Sequence, residues 1–355
     1  MLVPSVILFL SVVLSEQEIF AKTCKDCKLL DTCPGALYLA VNKKNPLTEK
    51  LIIDSICSQE RVNGIPKVCC SEFPSAPEEI ENHPNIRLLP KDCGAIEGSQ
   101  IVGGEETKLY EFPWMVLISY NTRIGLQFLC GGSLITPLYV LTAAHCVKEK
   151  NIAGVRLGDY DLEENVDCEK NTFICESNHK DVGVAETIIY PTYSGPPIVR
   201  NDIALLRLKT PADITLRNID LVCLPITRGL RERTLERERA VVTGWGLTEN
   251  YTTATVLRKV DIPISTRERC KHYYQSYSNE DLTKTILCAG ELGKDSCKGD
   301  SGGPLMLEGK YVNGASRFIQ HGIVSHGPSQ CGSSFPGVYT DVSWYMKWIL
   351  DTIRP

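Results

Sequence analysis

The sixteen cysteines of this 355-residue chain constrain its fold more than any other feature. So many cysteines, in an even number, are typical of a protein that folds in an oxidising compartment and is crosslinked by disulfides. Six of them fall within the first 70 residues, which predicts a small disulfide knot whose pairing the spacing does not select. These six are Cys24, Cys27, Cys33, Cys57, Cys69 and Cys70. The short spacing of Cys24 and Cys27 also fits metal or redox chemistry, but structural disulfides are the better interpretation.

A short apolar run opens the chain. Residues 2–14 have the length of a signal-peptide core and are short for a membrane-spanning helix. Ser15 and Ala21 both offer cleavage points, so we expect a signal peptide within residues 1–21 and leave the cleavage point between 15 and 21 open. No later stretch is apolar enough for a membrane helix, and secretion follows. A net charge of −5 without long like-charge blocks gives no reason to expect nucleic-acid binding.

Residues 295–304, which read Asp-Ser-Cys-Lys-Gly-Asp-Ser-Gly-Gly-Pro, carry the features of a nucleophile site. Ser301 lies among glycines, which allow a substrate backbone to approach closely. His145 lies upstream in Leu-Thr-Ala-Ala-His-Cys, and Asp202 lies between them in Asn-Asp-Ile-Ala-Leu-Leu. Each residue alone has a simpler explanation, such as a surface histidine or an aspartate that caps a turn. Together, in this order, they favour a nucleophilic serine served by a histidine and an orienting aspartate.

Residues 101–355 resemble a chymotrypsin-family serine protease. The resemblance rests on the three motifs above, on Ile-Val-Gly-Gly at residues 101–104, on Gly-Trp-Gly at 244–246 and on Gly-Val-Tyr-Thr at 337–340. Residues 24–70 resemble a clip domain, the disulfide knot of arthropod clip-domain protease zymogens. The expected domains are a clip domain over residues 22–70, a linker and activation segment over 71–100, and a protease domain over 101–355. The resemblance implies an all-β fold, a chymotrypsin-like double β-barrel with a C-terminal helix.

The residue pattern itself agrees with an all-β protease region. Short β-branched and aromatic runs punctuated by Gly, Pro and Asn predict strands within residues 112–119, 133–142, 185–190 and 240–243. One helix is predicted from Val342 to Ile353. Its expected packing face contains Trp344, Tyr345, Trp348, Ile349 and Thr352. Residues 71–90, rich in proline and acids, predict an extended and mobile linker. Residues 227–239, with alternating Arg and Glu, predict a solvated surface face, with docking of the clip domain as the alternative.

The resemblance implies roles for single residues. His145, Asp202 and Ser301 are expected to form the catalytic triad, and the amides of Gly299 and Ser301 the oxyanion hole. The expected specificity residues, which would shape a primary pocket for Arg or Lys, are Asp295, Gly327 and Gly337. The expected activation residues, which would join a new N-terminal amine to a buried carboxylate after cleavage, are Gln100, Ile101 and Asp300.

The resemblance also implies the disulfide pairing. The expected clip-domain pairs are Cys24–Cys69, Cys27–Cys57 and Cys33–Cys70. The expected protease pairs are Cys93–Cys223, Cys130–Cys146, Cys270–Cys288 and Cys297–Cys331. Cys168 and Cys175 remain, and we expect them to pair across a surface loop.

Gln100 departs from the Arg or Lys that usually precedes the new N-terminus. We therefore expect an upstream activating protease of non-trypsin specificity. His326 stands where relatives carry a bulky aromatic, so we expect altered subsites and an unaffected triad. The acidic loop could hold calcium through Asp159, Asp161, Glu163, Glu164 and Asp167, although a solvated loop is an equal alternative; no cofactor is expected to be required. Asn250 begins a glycosylation sequon.

The leading hypothesis is a secreted trypsin-like zymogen of an extracellular immune, Toll-type or prophenoloxidase cascade. Its expected partners are a downstream zymogen or cytokine precursor as substrate, the upstream activator and a serpin inhibitor, with no nucleic acid and no membrane span. The alternative is a non-catalytic clip-domain homologue that acts as an adaptor or cofactor. The presence of all three triad residues weighs against it, and the cysteine knot disfavours a digestive trypsin.

Overall fold

The computed structural model divides the chain into two units, Met1–Ile80 and Glu81–Pro355. The residues that it describes are 23–24, 26–33, 35–36, 40, 46–62, 64–73, 80–96, 105–169, 173–177, 179–248, 252–274, 285–328 and 331–355. The predicted signal peptide, Gln100, Ile101 and Asn250 lie outside these ranges. None of the helices in these ranges has the length and apolar character needed to cross a membrane.

The described part of the first unit contains a small antiparallel sheet and an α-helix that runs from Pro46 to Asp54. Its elements are β1 (Cys27–Leu29), α1 (Pro46–Asp54), β2 (Ile56–Val62) and β3 (Ile65–Cys69), and the strands are ordered β1-β3-β2. Three disulfides join Cys24 to Cys69, Cys27 to Cys57 and Cys33 to Cys70, which are the pairs that the clip resemblance implies. Its small core includes Leu30, Ile52, Ile56, Val68 and Phe73. A core of this size needs the crosslinks, each of which typically stabilises a domain by about 2–4 kcal/mol.

The second unit contains two seven-stranded antiparallel sheets. The first has the order β11-β8-β5-β6-β7-β13-β12 and consists of β5 (Met115–Thr122), β6 (Gly125–Thr136), β7 (Tyr139–Thr142), β8 (Ile152–Leu157), β11 (Lys180–Val182), β12 (Val184–Ile189) and β13 (Ala204–Leu208). The second has the order β16-β19-β18-β17-β14-β15-β4 and consists of β4 (Glu105–Glu106), β14 (Arg239–Gly244), β15 (Arg258–Pro263), β16 (Ile286–Ala289), β17 (Pro304–Lys310), β18 (Ser316–His326) and β19 (Gly337–Asp341). A separate ribbon pairs β9 (Asp167–Cys168) with β10 (Cys175–Glu176).

The helices of this unit are α2 (Ala144–Val147), α3 (Arg228–Glu232), α4 (Arg267–Tyr273) and α5 (Val342–Thr352). The all-β prediction and the C-terminal helix are therefore confirmed. The predicted strand within residues 133–142 is two strands, because Pro137 cannot donate a ladder hydrogen bond and the Thr136 hydroxyl accepts from the amide of Leu138 instead.

The predicted packing face of α5 is wrong in part. The buried residues are Val342, Tyr345, Met346, Ile349 and Leu350, whereas the Trp344 residue is 48% exposed. Apolar side chains cover more than one face of this helix, so a 3.6-residue period fits more than one stripe.

The prediction of a mobile linker over residues 71–90 is also wrong for residues 81–90. We call residues 81–93 the brace. Asn85 Nδ2 donates to the main-chain oxygens of Leu350 and Ile353 at 2.9 and 3.1 Å, and His83 Nε2 lies 3.0 Å from Asp351 Oδ1. Pro84 starts a short 3₁₀ turn over Pro84–Leu88. The C-terminal carbonyls of a helix lack intrahelical partners, so polar side chains that reach them hold the segment in place.

Residues 227–239 are not simply a solvated face. They contain α3, whose first turn is capped by the Thr227 hydroxyl accepting from the amide of Leu230. The Leu230 and Leu235 side chains are buried. The charged side chains cover a short amphipathic turn whose two leucines pack into the second unit.

Candidate active site

The pairing of β7 with β13 brings His145 and Asp202 together. Thr142 lies opposite Ala204 in this antiparallel pair. His145 follows Thr142 by three residues, in α2, and Asp202 precedes Ala204 by two. In an antiparallel pair, residues just after one strand and just before the other lie at the same end of the sheet.

Asp202 is buried, with 2% of its surface exposed, and both of its carboxylate oxygens face His145. Oδ2 lies 2.8 Å from His145 Nδ1, and Oδ1 accepts from the His145 amide at 2.9 Å. Burial alone would raise the pKa of Asp202, but hydrogen bonds from His145 and Ser325 outweigh burial and lower it. The carboxylate is therefore ionised at neutral pH and holds the imidazole in one orientation.

Two residues that the sequence analysis missed support Asp202. The hydroxyl of Ser325 donates to Asp202 Oδ2 at 2.5 Å, and the hydroxyl of Thr340 donates to its main-chain oxygen at 2.7 Å. Both residues come from the second sheet, at the end of β18 and in β19. No local pattern marks them, because the contact between Asp202 and Ser325 spans 123 residues of chain.

Ser301 is held against the first sheet through its backbone. Its main-chain oxygen accepts from the Gly131 amide at 2.8 Å. Gly302, with φ +80°, packs so tightly that a Cβ there would lie 2.2 Å from Thr142 Oγ1. Gly131 follows Cys130, and the Cys130–Cys146 disulfide places this strand beside His145. These contacts bring the serine to the end of the sheet that carries the histidine.

The structure does not join Ser301 to His145 by a hydrogen bond. In the ranges that the structure describes, Ser301 Oγ makes none, and His145 Nε2 lies 3.6 Å from Cys146 Sγ. Catalytic hydrogen bonds are often long in the absence of substrate and shorten in the complex.

The loop around Gly299 presents two backbone amides. Gly299 has φ +103°, which a residue with a side chain rarely adopts. The Asp300 amide donates to Cys297 O at 3.0 Å, whereas the amides of Gly299 and Ser301 donate to no acceptor among the described residues. Two amides of one tight loop are thus left for an external oxygen.

Asp300 faces away from this loop into the second sheet. Its Oδ1 accepts from the Gly246 amide and its Oδ2 from the Cys297 amide, both at 2.8 Å. Burial raises the pKa of Asp300 to about 6, although both hydrogen bonds oppose the shift. It has no ion-pair partner in the described part of the chain. It lines a cavity of about 370 Å³ together with Gly244, Leu247, Val260, Lys294 and Asp295.

Asp295 and the two predicted glycines lie close to one another. A Cβ at Gly337 would lie 2.9 Å from Asp295 Oδ1, and a Cβ at Gly327 would lie 3.6 Å from the Gly337 Cα. Glycine at both positions therefore leaves space next to the carboxylate. Burial, with a contribution from the charge of Asp300, raises the pKa of Asp295 to about 7. A cationic side chain in this space would restore its ionised form.

The sequence analysis expects His326 to leave the triad unaffected, but the structure connects its side chain to Asp202 through Ser325. His326 Nδ1 lies 3.0 Å from Ser325 Oγ, and this hydroxyl is the one that contacts Asp202. The ring also makes an edge contact with the ring of Tyr274, at 6.1 Å between centroids. The side chain at this position is therefore connected to the triad as well as to the wall of the cleft.

Two carboxylates of the acidic loop point inward. Asp159 and Asp167 are both buried, and Asp159 Oδ1 has no hydrogen-bond partner among the described residues. Burial raises the pKa of Asp159, and the charge of Asp167 raises it further, while Arg156 opposes both. Among the described residues, two groups of three side chains lie close enough together to hold a metal ion. Both groups contain disulfide cysteines, and neither includes a residue of this loop. Asp167 already accepts from the amides of Tyr160 and Asp161, and Asp159 Oδ2 pairs with Arg156 at 3.2 Å. Of the oxygens of these two carboxylates, Asp159 Oδ1 is therefore the one left for a cation, and further ligands would have to come from elsewhere.

The second unit has five disulfides, in the pairs that the sequence analysis expects. They are Cys93–Cys223, Cys130–Cys146, Cys168–Cys175, Cys270–Cys288 and Cys297–Cys331. The last of these closes the loops around Asp295, and the first anchors the brace.

Comparisons with known proteins agree with this architecture. Residues 101–349 match the trypsin family. CLIP domain-containing serine protease HP8 of Bombyx mori is 36% identical over 345 residues, which cover 93% of this chain and 91% of HP8. Melanization protease 1 of Drosophila melanogaster is 38% identical over 315 residues, which cover 81% of this chain and 78% of that protein. The crystal structure of the Drosophila Grass clip serine protease of the Toll pathway matches with a TM-score of 0.67 and 30% identity, over 94% of this chain and 97% of that one.

The two sheets and the C-terminal helix are thus the chymotrypsin-like double β-barrel, and the knotted first unit matches the place of a clip domain. The chain belongs to the trypsin family of serine endopeptidases and, within it, to the clip-domain serine proteases.

Proposed function

We propose that this chain is a secreted zymogen that is cut before Ile101 and then cleaves a protein substrate after Arg or Lys. The observation that carries the proposal is the buried Asp202, which holds His145 at 2.8 Å beside the Ser301 loop and its two unengaged amides. The position of Asp295 beside Gly337 supports the preference for a cationic side chain.

In the proposed mechanism, Ser301 Oγ attacks the scissile carbonyl carbon while His145 Nε2 takes its proton. Asp202 stabilises the imidazolium through Nδ1. The amides of Gly299 and Ser301 donate to the oxyanion, and each such donor is worth roughly 3–4 kcal/mol of transition-state stabilisation. His145 then gives the proton to the leaving amine. Water, activated by the same histidine, hydrolyses the acyl-enzyme and frees Ser301.

Activation depends on Asp300. Its ionised form is unfavourable in its present setting, because burial raises its pKa above that of an ordinary carboxyl. A new amine at Ile101 would pair with this carboxylate and stabilise the ionised form. The same loop carries Gly299 and Ser301, so ordering of Asp300 is coupled to the oxyanion hole. The cavity beside Asp300 provides the space for the new terminus.

The activator should differ from a trypsin-like protease. Gln100 offers no cation to an acidic primary pocket. The activator is therefore a protease that accepts glutamine before the cut.

The substrate is a protein of an extracellular immune, Toll-type or prophenoloxidase cascade, either a downstream zymogen or a cytokine precursor. The names of the relatives, which include a melanization protease and a clip serine protease of the Toll pathway, support this assignment. A serpin is the expected inhibitor. Calcium, when present, would bind at Asp159 and would stabilise the loop without entering the reaction. Glycosylation at Asn250 stays a prediction.

The test compares the wild-type chain with a Gln100→Arg variant, each treated with immobilised trypsin that is then removed. We expect trypsin to expose an Ile101 N-terminus only in the variant, and the cut variant to hydrolyse an arginyl ester. The same variant carrying Ser301→Ala is the matched control and should remain inactive. Cut Gln100→Arg protein that is no more active than this control would contradict the proposal.

A further inference from the structure

A second histidine is connected to the predicted triad by a continuous series of hydrogen bonds. The series runs from His326 Nδ1 to Ser325 Oγ at 3.0 Å, from Ser325 Oγ to Asp202 Oδ2 at 2.5 Å, and from Asp202 Oδ2 to His145 Nδ1 at 2.8 Å. Ser325 and Asp202 are both buried. Hydrogen bonds in such a setting polarise one another.

The direction of each bond follows from the protons available. Asp202 is ionised and only accepts, so the single hydroxyl proton of Ser325 points to it. Ser325 Oγ then has only lone pairs for His326. An unprotonated Nδ1 at 3.0 Å would place two lone pairs against each other, so His326 must carry a proton on Nδ1 and donate it.

The surroundings of His326 favour a neutral ring in this tautomer. Burial lowers the pKa of His326 below its usual 6.5, the nearby Asp202 raises it in part, and the charge of His145 lowers it again. The ring is held by its edge contact with Tyr274, whose hydroxyl donates to Pro336 O at 2.6 Å. The imidazole is thus fixed on one side by an aromatic ring and on the other by the serine.

We propose that His326 is a positioning residue of the reaction, which donates from Nδ1 to Ser325 and thereby aims the serine hydroxyl at Asp202. A polarised hydroxyl is a stronger donor to the carboxylate and restricts its rotation. Asp202 is then better held for the imidazolium that forms on His145. An apolar aromatic at position 326 could fill the same space but could not make this bond.

The kinetic test of this inference rests on the proposed function, whereas the structural test is independent of enzyme activity. The structural test uses the full chain carrying Ser301→Ala, labelled with nitrogen-15, with His326→Asn as the reference that removes the His326 signals. We expect the neutral His326 ring to show a protonated Nδ1 and an unprotonated Nε2. An unprotonated Nδ1 overturns the proposal, whether or not the enzyme is active.

The kinetic test is a double-mutant cycle in the cut Gln100→Arg enzyme, with a small arginyl ester as substrate. We expect His326→Phe to lower kcat about 2- to 10-fold, the effect of one neutral hydrogen bond, with a smaller change in KM. His326→Asn, whose amide can donate from a similar position, should retain kcat within about 2-fold.

In a Ser325→Ala background, His326→Phe should have no further effect on kcat, because His326 acts through Ser325. An equal loss with and without Ser325 overturns the proposal and assigns His326 to the substrate wall alone. If the cut Gln100→Arg parent is itself inactive, the proposed function fails, and the tautomer measurement still decides the inference.

Discussion

The side-chain amide of Asn85 donates to the main-chain oxygen of Leu350 at 2.9 Å and so caps the last turn of the C-terminal helix from 265 residues away in sequence. The same amide reaches the oxygen of Ile353 at 3.1 Å. The brace is therefore part of the protease unit.

We expect Asn85→Ala to destabilise the protease unit by about 1–2 kcal/mol, because two helix-end carbonyls lose their partner. This corresponds to a fall in melting temperature of about 2–6 °C. Differential scanning calorimetry would measure it. Asn165→Ala, at an exposed loop position, is the matched control and should leave the melting temperature unchanged. Equal melting temperatures for the two variants would show that the cap contributes nothing.

Asp202→Asn should lower kcat for arginyl esters by about 10⁴-fold, the loss measured for this replacement in related enzymes. The carboxylate uses both oxygens: Oδ2 accepts from the His145 ring and the Ser325 hydroxyl, and Oδ1 accepts from the His145 main-chain amide. An asparagine has one oxygen and one NH₂ group, so one of these donors would face another donor and the histidine would lose its orientation or its tautomer. Steady-state kinetics on the cut Gln100→Arg enzyme would measure the change. Asp213→Asn, at an exposed turn, should retain full activity. A loss below tenfold for Asp202→Asn would contradict the assigned role.

Because of His321, we expect the free energy of unfolding to fall in acid. This histidine is completely buried, and neither ring nitrogen has a hydrogen-bond partner in the part of the chain that the structure describes. Burial, with the charge of Arg233, lowers the pKa of His321 to about 3. The unfolded chain binds this proton near pH 6.5 and the folded chain does not, so stability is full above pH 6.5 and falls towards pH 3. Between these two pH values, this histidine lowers the free energy of unfolding by about 1.4 kcal/mol for each pH unit of acidification.

Replacing His321 by Leu should remove this contribution. The unfolding free energy, measured by denaturant titration at several pH values, should then fall less steeply below pH 6.5 than in the wild type. His272→Leu, at an exposed position, should retain the wild-type slope. Parallel pH profiles for the wild type and His321→Leu would contradict the prediction.

Calcium should stabilise the chain through the acidic loop. Because Asp159 Oδ1 is buried without a hydrogen-bond partner in the described ranges and Asp167 repels it, a bound cation would relieve both costs. At about 10 mM calcium we expect the melting temperature to rise by about 3–8 °C. Asp159→Asn should abolish the rise, and Glu163→Gln, at an exposed position of the same loop, should retain it. An unchanged wild-type melting temperature would exclude calcium from this loop.

Much of the protease fold could be predicted from the sequence because its signals are local. The strands carry β-branched runs between turn residues, and the predicted nucleophile, histidine and aspartate each stand in a short motif. The short helices α3 and α4 also carry a local signal at their first turns. Thr227 and Thr266 each cap the first turn, and threonine is a favoured N-cap residue.

Other features depend on contacts between distant residues. Ser325 could not be linked to Asp202 from sequence pattern, because only the approach of the second sheet to the first creates the contact. The composition of the brace is that of a loose linker, and its order comes from carbonyls that α5 leaves unsatisfied. For the same reason, the consequence of a histidine at position 326 became visible only in three dimensions.

The pairing of β4 with β15 determines how far an amine freed at Ile101 could travel. Glu105 lies opposite Lys259, which lines the same cavity as Asp300. Glu105 follows Ile101 by four residues, so the amine stays within about 14 Å of that anchor. In the proposed activation, the tethered amine would reach the Asp300 carboxylate in an intramolecular step whose rate does not depend on protein concentration. A single cut before Ile101 would then be enough to form the ion pair, and no second molecule would be needed.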